Sequence, residues 1–78
     1  MFAKGALDTR TKQLIAVAVA HVTQCPWCIE AHVEAAHHDG ASDEQIMEAV
    51  WVAAEMRAGA AFAHSFKTLD ILKESGEE

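Results

Sequence analysis

Apolar and polar positions follow the spacing of α-helices along almost the whole chain. Apolar residues recur every three or four positions, alanine is abundant, and the two-residue alternation typical of strands is scarce. Four helical stretches follow one another without a repeat, a linker or a low-complexity tract. The pattern therefore predicts a single all-α domain over residues 1–78, with about four helices.

The first predicted helix begins after Asp8, whose carboxylate is suited to cap an N-terminus, and covers TRTKQLIAVAVAHV. Its apolar stretch, 14–20, covers more than one face, which is typical of a helix that is buried on most sides. In so small a protein, we expect the additional apolar face to contact another subunit.

Local signals set the bounds of the other helices. The second begins near Cys25 with a proline at its first helical position, and it ends at about His38, before Gly40. The third opens on SDEQ, a capping box. We expect Gly59 to interrupt or bend it, so that a fourth helix covers roughly 60–73, followed by an acidic tail at 75–78.

Composition narrows the classes of function. The 78 residues carry twelve acidic and six basic side chains, a formal charge of -6, which disfavours nucleic acid as a partner. The longest apolar run is too short to cross a bilayer, and no signal peptide precedes it. We therefore expect a cytoplasmic protein that binds no membrane. A core of this size usually needs a staple, a metal or partner subunits.

Both cysteines of the chain lie in TQCPWCIEAH, at the start of the second helix. Cys25 and Cys28 are three positions apart, so both sulfurs can face one side and close a disulfide. His32 lies one turn beyond Cys28 on the same face, where it can accept the thiol proton or stabilise a thiolate. The unpaired N–H groups and the dipole of the helix N-terminus favour the thiolate as well.

This cysteine pair has more than one interpretation. In a reducing cytosol a close pair is catalytic or metal-binding more often than a permanent staple. A metal site could use Cys25, Cys28 and His32, but its fourth ligand would have to be another histidine: His21, His37 or His64. The two cysteines could also be inert packing residues.

The segments DTRTKQLIAVAVAHVTQCPWCIEAHVEAA and EAVWVAAEMRAGAAFAH resemble the carboxymuconolactone decarboxylase superfamily, and in particular its alkylhydroperoxidase AhpD-like branch with a CxxCxxxH core. The resemblance covers roughly 7–72. It implies an all-α fold in which two subunits interlock, with dimer-built trimers or hexamers. It also implies reduction of a peroxide, or of a partner protein's disulfide, by the cysteine pair without a bound cofactor, and an external dithiol reductant.

Residue by residue, Cys25 and Cys28 match the redox pair of that branch and His32 matches its proton-relay histidine. The family often has a glutamate twelve residues before the first cysteine, where this chain has Gln13. Glutamine forms hydrogen bonds but takes up no proton, so the relay loses its last carboxylate unless water or another acid replaces it: Glu30, Glu34 or Glu55. His21, at the end of the first helix, is a second candidate for the surroundings of the pair.

The sequence allows three hypotheses about function. The leading one is a small homo-oligomeric thiol–disulfide oxidoreductase with antioxidant or peroxidase activity; Cys25 is nearer the helix end and Cys28 nearer His32, so the attacking sulfur stays open. The second is a protein that binds a metal through Cys25, Cys28 and His32. The third is an oligomeric scaffold without efficient chemistry, which Gln13 favours. The decarboxylase activity that names the superfamily fits poorly, because the cysteine pair belongs to the redox branch.

Overall fold

The computed structural model describes residues 1–76, which form four α-helices and, within that range, no strand. In chain order they are α1 (Thr9–Thr23), α2 (Pro26–His38), α3 (Asp43–Ala63) and α4 (Ser65–Glu74). The prediction of an all-α fold is confirmed. The end of the predicted acidic tail, 77–78, lies outside the described residues.

Three of the helices begin at the caps that the sequence predicts. Asp8 accepts a 2.7 Å hydrogen bond from the N–H of Thr11, and this bond holds the pKa of the Asp8 carboxyl below its usual range. At α3, Ser42 and Gln45 exchange two hydrogen bonds of 3.0 Å, the reciprocal pattern of a capping box. At α2, Pro26 is the first helical residue and Cys25 is the N-cap.

A tight turn at Gln24 connects α1 to α2. Gln24 has φ 57° and ψ 51°, and its N–H donates to the carbonyls of Ala20 and His21. The next N–H, that of Cys25, donates to Ala20 O at 3.1 Å. This is a Schellman arrangement with a left-handed residue after the helix. It reverses the chain within two residues and sets the cysteine pair directly beside the end of α1.

The core is small and lies where α1 packs against both α2 and α3. Val17 is fully buried at the centre of α1, Ala36 faces it from α2, and Ile46 faces it from α3. Alanines at the contacts allow the helix axes to come close. One polar side chain is buried in the described part of the chain, that of Gln13, which is 8% exposed.

The predicted interruption at Gly59 is wrong. Helix α3 continues through Gly59 to Ala63, and the break falls at His64, so that α4 begins at Ser65. A glycine inside a helix costs only about 1 kcal/mol relative to alanine, which a helix of 21 residues tolerates. The backbone of His64, at φ -78° and ψ 0°, leaves the helical path instead.

The chain is elongated, because α4 contacts only α3 among the described helices. The molecule measures 56 × 24 × 21 Å with a radius of gyration of 17.5 Å, whereas a compact chain of this length has about 12 Å. Many large apolar side chains of α3 and α4 are more than half exposed: Trp51, Val52, Met56, Phe62, Phe66, Leu69 and Ile71. None of the helices in 1–76 has the length and apolar character needed to cross a membrane.

Candidate functional site

Cys25 and Cys28 are joined in a disulfide at the N-terminus of α2, with their Cα atoms 5.2 Å apart. Cys25 Sγ accepts a hydrogen bond of 3.3 Å from the N–H of Cys28, so the first sulfur also caps the helix. Both cysteines are half-buried. A thiolate at either position would be stabilised by the positive end of the helix dipole, and the first turn of α2 contains no acidic residue to oppose it.

His32 is tied to α1 by a hydrogen bond to Gln13. Its Nδ1 donates to Gln13 Oε1 at 2.7 Å, across 19 residues of sequence. An amide oxygen only accepts, so the proton of the neutral imidazole is on Nδ1 and Nε2 is left as the acceptor. The structure thus brings together Gln13 and His32, as the sequence suggested, and leaves Nε2 of His32 as a hydrogen-bond acceptor.

Cys28 and His32 line the same cleft, which has a volume of about 460 Å³. Its walls come from α1, the start of α2 and the first two residues of the chain, and most of the lining side chains are apolar: Met1, Phe2, Ile15, Ala16, Val19 and Ala20. Lys12 and Thr23 complete the lining, and Cys25 is not among these residues. Of the two sulfurs, Cys28 is therefore the one that a molecule in the cleft would meet.

The structure does not bring His21 to this cleft. Its Nδ1 donates to the carbonyl of Val17 at 2.8 Å, and His21 lines a different pocket, together with Ala53 and Arg57 of α3. His21 sits four positions after Val17, so it shares the face of α1 that packs on α3. It is part of the helix packing here, not of the surroundings of the cysteine pair.

The other histidines also lie away from the cysteines. His37 pairs with Asp43 at 3.4 Å, His38 with Asp39 at 3.5 Å, and His64 donates to the carbonyl of Ala60. Within residues 1–76, no group of three or more His, Cys, Asp or Glu side chains is arranged to hold a metal ion. The described residues thus do not assemble the fourth ligand that the metal-site interpretation needs.

Arg57 forms no ion pair with an acidic residue in the described part of the chain. Its guanidinium donates instead to the carbonyl of Val22, in the last turn of α1. A cation at this end of a helix satisfies an unpaired carbonyl and stabilises the negative end of the dipole. Arg57 thereby ties α3 to the turn that carries the cysteines.

Trp27, between the two cysteines, is 78% exposed. It therefore packs against little of its own chain, which leaves a contact with another molecule as the role consistent with its position.

Sequence reasoning missed the contribution of the first residues. The aromatic rings of Phe2 and His32 lie with their centroids 5.1 Å apart and their planes at 34°. Lys12 Nζ donates to the carbonyls of Met1 and Ala3, at 3.2 and 2.8 Å. These residues precede the first helix and have no helical periodicity from which a buried face could be predicted. The apolar pair at 1–2 is the one signal in the sequence for such a contact.

With this geometry established, comparison with known proteins gives the family. The model of the carboxymuconolactone decarboxylase family matches residues 1–70, and this chain belongs to that family. The resemblance seen in the cysteine motif and its flanking helices is confirmed at this level.

The chain is similar to bacterial proteins, in sequence and in structure. It is 74% identical over 74 residues to uncharacterized protein 4 in the cox locus of Paracoccus denitrificans, and 44% identical over 64 residues to an uncharacterized protein of Haemophilus influenzae. Those matches cover 95% and 82% of this chain, but 67% and 57% of the two relatives. The chain thus spans between just over half and two thirds of their length.

The solved structure is a carboxymuconolactone decarboxylase family protein of Thermotoga maritima, suggested to be involved in antioxidative response. It superposes with a TM-score of 0.65 at 28% identity, over 88% of this chain and 80% of its own. The four-helix arrangement described above is therefore one that this family adopts.

Proposed function

We propose that this protein is a thiol–disulfide oxidoreductase of the AhpD-like type, which reduces peroxides or a partner's disulfide with its cysteine pair. The observation that carries the proposal is that Cys28, bonded to Cys25 at a helix N-terminus, shares an apolar cleft with His32. Family membership and the antioxidative role suggested for the Thermotoga maritima protein support it.

In the proposed reaction Cys28 attacks first. Its thiol proton passes to Nε2 of His32, and the thiolate attacks the outer oxygen of a hydroperoxide ROOH. The O–O bond breaks, RO⁻ takes the proton back from the imidazolium and leaves as ROH, and Cys28 becomes a sulfenic acid. The thiol of Cys25 then attacks this sulfur, the S–S bond forms, and water leaves. The sum is ROOH and two thiols giving ROH, water and the disulfide.

An external dithiol closes the cycle by thiol–disulfide exchange. One of its sulfurs attacks the Cys25–Cys28 bond to form a mixed disulfide, its second sulfur displaces the remaining cysteine, and both thiols are restored while the dithiol is oxidised. A reducing compartment such as the cytoplasm supplies dithiols of this kind, and we propose that location for the protein. A partner's disulfide would be reduced by the same exchange in the opposite direction.

Gln13 limits the peroxide half of the proposed cycle. Its amide orients His32 but carries no negative charge to stabilise the imidazolium that forms when Cys28 loses its proton. Attack on a disulfide depends less on the protonated His32, because a leaving thiolate that is itself stable does not need its proton. We therefore propose disulfide exchange as the faster activity and peroxide reduction as the slower one.

The test is to follow both half-reactions in single-cysteine variants of the full chain. In Cys28→Ser, peroxide consumption should fall to the level of a blank, whereas Cys25→Ser should still react once and accumulate a sulfenic acid that dimedone traps. Alkylation of each thiol at a series of pH values, read by mass spectrometry, reports which sulfur ionises first. Unchanged turnover in Cys28→Ser, or two sulfurs with ordinary acidity, would remove the proposal.

We also propose that copies of this chain associate, most simply as interlocked dimers that build a trimer or hexamer. The exposed apolar side chains of α3 and α4 form a surface that one chain leaves uncovered, and α4 extends away from its own core. Such a surface is unusual on a monomer and typical of an obligate interface. Light scattering should give a multiple of 8.4 kDa, and Phe62→Glu should lower it; a monomer at high concentration would contradict the proposal.

A further inference from the structure

The first seven residues, which we call the N-terminal strap, precede α1 without forming a helix, and the first two of them, Met1 and Phe2, line the cleft. Their apolar side chains differ in burial. Met1 is fully exposed and Leu7 is 46% exposed, while Phe2 is 39% exposed and packs its ring on His32. Ordering a segment without helical hydrogen bonds costs conformational entropy. Contacts specific to this segment must therefore offset that cost.

Lys12 supplies such contacts. From the first turn of α1, its ammonium donates to the carbonyls of Met1 and Ala3, the residues on either side of Phe2. The strap also passes close to this side chain at Gly5, where a Cβ atom would lie 3.3 Å from Lys12 Nζ. One cation thus binds the backbone on both sides of Phe2.

The imidazole of His32 is in turn held on two sides. Gln13 holds Nδ1 through one hydrogen bond, and the Phe2 ring lies beside the imidazole, with the ring centroids 5.1 Å apart and the planes at 34°. A hydrogen bond to a neutral amide is weaker than one to a carboxylate, so it orients the ring less firmly than the family's usual glutamate would. The aromatic contact restricts the rotation about χ2 that the single hydrogen bond allows.

We propose that Phe2 is a positioning residue for His32 and a specificity-determining wall of the cleft, held in place by Lys12. Only the specificity role rests on the proposed function. The positioning role does not, since the orientation of His32 is a property of the folded chain. Phe2 provides apolar contact to an organic hydroperoxide in the cleft, whereas hydrogen peroxide is too small and too polar to gain from it. Phe2 therefore favours the organic substrate over hydrogen peroxide.

The experiment compares Phe2→Ala, Phe2→Leu and Phe2→Tyr in the full chain, with Leu7→Ala as a matched control from the same strap. Proton NMR of the histidine Hε1 resonances, assigned with His32→Gln, reports the ring current of Phe2 on His32. The His32 signal should move in Phe2→Ala and Phe2→Leu, and stay near its original position in Phe2→Tyr and Leu7→Ala. A His32 signal that does not move in Phe2→Leu would overturn the positioning role, whether or not the protein turns over peroxide.

The kinetic half compares kcat/KM for cumene hydroperoxide with that for hydrogen peroxide. In Phe2→Ala this ratio should fall by about tenfold, the size of effect that loss of an apolar contact in a substrate pocket produces. Phe2→Tyr should restore the ratio, and Phe2→Leu should restore most of it without restoring the NMR signal. An unchanged ratio in Phe2→Ala would overturn the specificity role.

Lys12 is tested with Lys12→Met, which keeps the apolar stem and removes the ammonium, against Lys4→Met in the strap itself. Lys12→Met should shift the His32 signal in the direction of Phe2→Ala, and Lys4→Met should not. A wild-type signal in Lys12→Met would show that Phe2 is held without the lysine. If wild-type protein consumes neither peroxide, the proposed peroxidase activity fails, and the NMR comparison still decides the positioning of His32.

Discussion

Gln13 and His32 meet across the α1–α2 interface, with the imidazole Nδ1 donating to the amide oxygen at 2.7 Å. In the proposed reaction this pair takes the place of a histidine that is hydrogen-bonded to an acid, with an amide instead of the acid. The histidine is oriented and keeps the proton on Nδ1, but no negative charge stabilises the imidazolium. Compared with the glutamate that the resemblance implies at this position, Gln13 provides the hydrogen bond but not the negative charge.

Restoring the charge should restore the rate. We expect Gln13→Glu to raise peroxide turnover by about tenfold or more, within the range that positioned acid–base groups contribute, because the carboxylate stabilises His32 when it holds the proton of Cys28. Initial rates of peroxide consumption with a fixed excess of dithiol measure this. An unchanged rate would mean that another group already serves as the acid.

A matched variant separates charge from orientation. Gln13→Leu removes the hydrogen bond while keeping a side chain of similar size in a position that is 8% exposed. It should lower turnover below wild type and cost about 1–2 kcal/mol of unfolding free energy, since the N–H of half-buried His32 loses its partner. If Gln13→Leu consumed peroxide as fast as wild type, the amide would have no part in the reaction.

The small core makes stability sensitive to single methyl groups. Val17 of α1 is fully buried where this helix meets α2 and α3. Val17→Ala should lower the free energy of unfolding by about 2 kcal/mol, because apolar burial is lost and a cavity is left behind. For a domain of this size that corresponds to a fall in Tm of roughly 10 °C. Val19→Ala, on the same helix at a residue that is 53% exposed, should change Tm by a small fraction of this. Equal effects of the two variants would contradict the burial pattern.

Much of this fold can be predicted from short segments of the sequence. The caps at Asp8 and Ser42 and the proline after Cys25 each act within three or four residues, so their helix starts could be predicted and are confirmed. The proximity of the two cysteines follows from their spacing alone. The meeting of Gln13 with His32 depends on how α2 folds back on α1, and only the family resemblance indicated it.

The features that were missed depend on contacts distant in sequence or on conformations against residue preference. Gly59 is an ordinary breaker signal that the long helix α3 absorbs, while His64, where the break occurs, carries no such signal. Gln24 adopts a left-handed conformation that favours glycine or asparagine. Phe2 reaches His32 only through the fold, from a segment without periodicity. Each therefore required the three-dimensional structure.

The left-handed turn at Gln24 predicts a stabilising substitution beside the cysteine pair. Gln24→Gly should raise the free energy of unfolding by about 1 kcal/mol, because a residue with a Cβ is strained at φ 57° and glycine is not. Chemical denaturation measures this. The comparison is Gly40→Ala at φ 95°, where nothing lies within 4 Å of the added methyl group, so a loss there reports backbone strain alone. A destabilised Gln24→Gly protein would mean that the side chain has a role which outweighs this strain.

The cap of α1 predicts how stability responds to acid. The N–H and hydroxyl of Thr11 are the main groups that hold the pKa of Asp8 below its usual range, with a smaller contribution from Arg10. A carboxyl whose pKa is lower in the folded state stabilises the fold fully above the unfolded value of about 3.9, and this contribution is lost as pH falls through the lower, folded value.

We expect Asp8→Asn, which can still cap but carries no charge, to be less stable than wild type at pH 7. The difference should shrink as the pH is lowered below about 4. Asp8→Ala, which loses the cap altogether, should stay the less stable of the two variants at every pH. Urea denaturation at pH 7, 4 and 3 measures all three proteins, and a difference between wild type and Asp8→Asn that grows toward low pH would contradict the assignment.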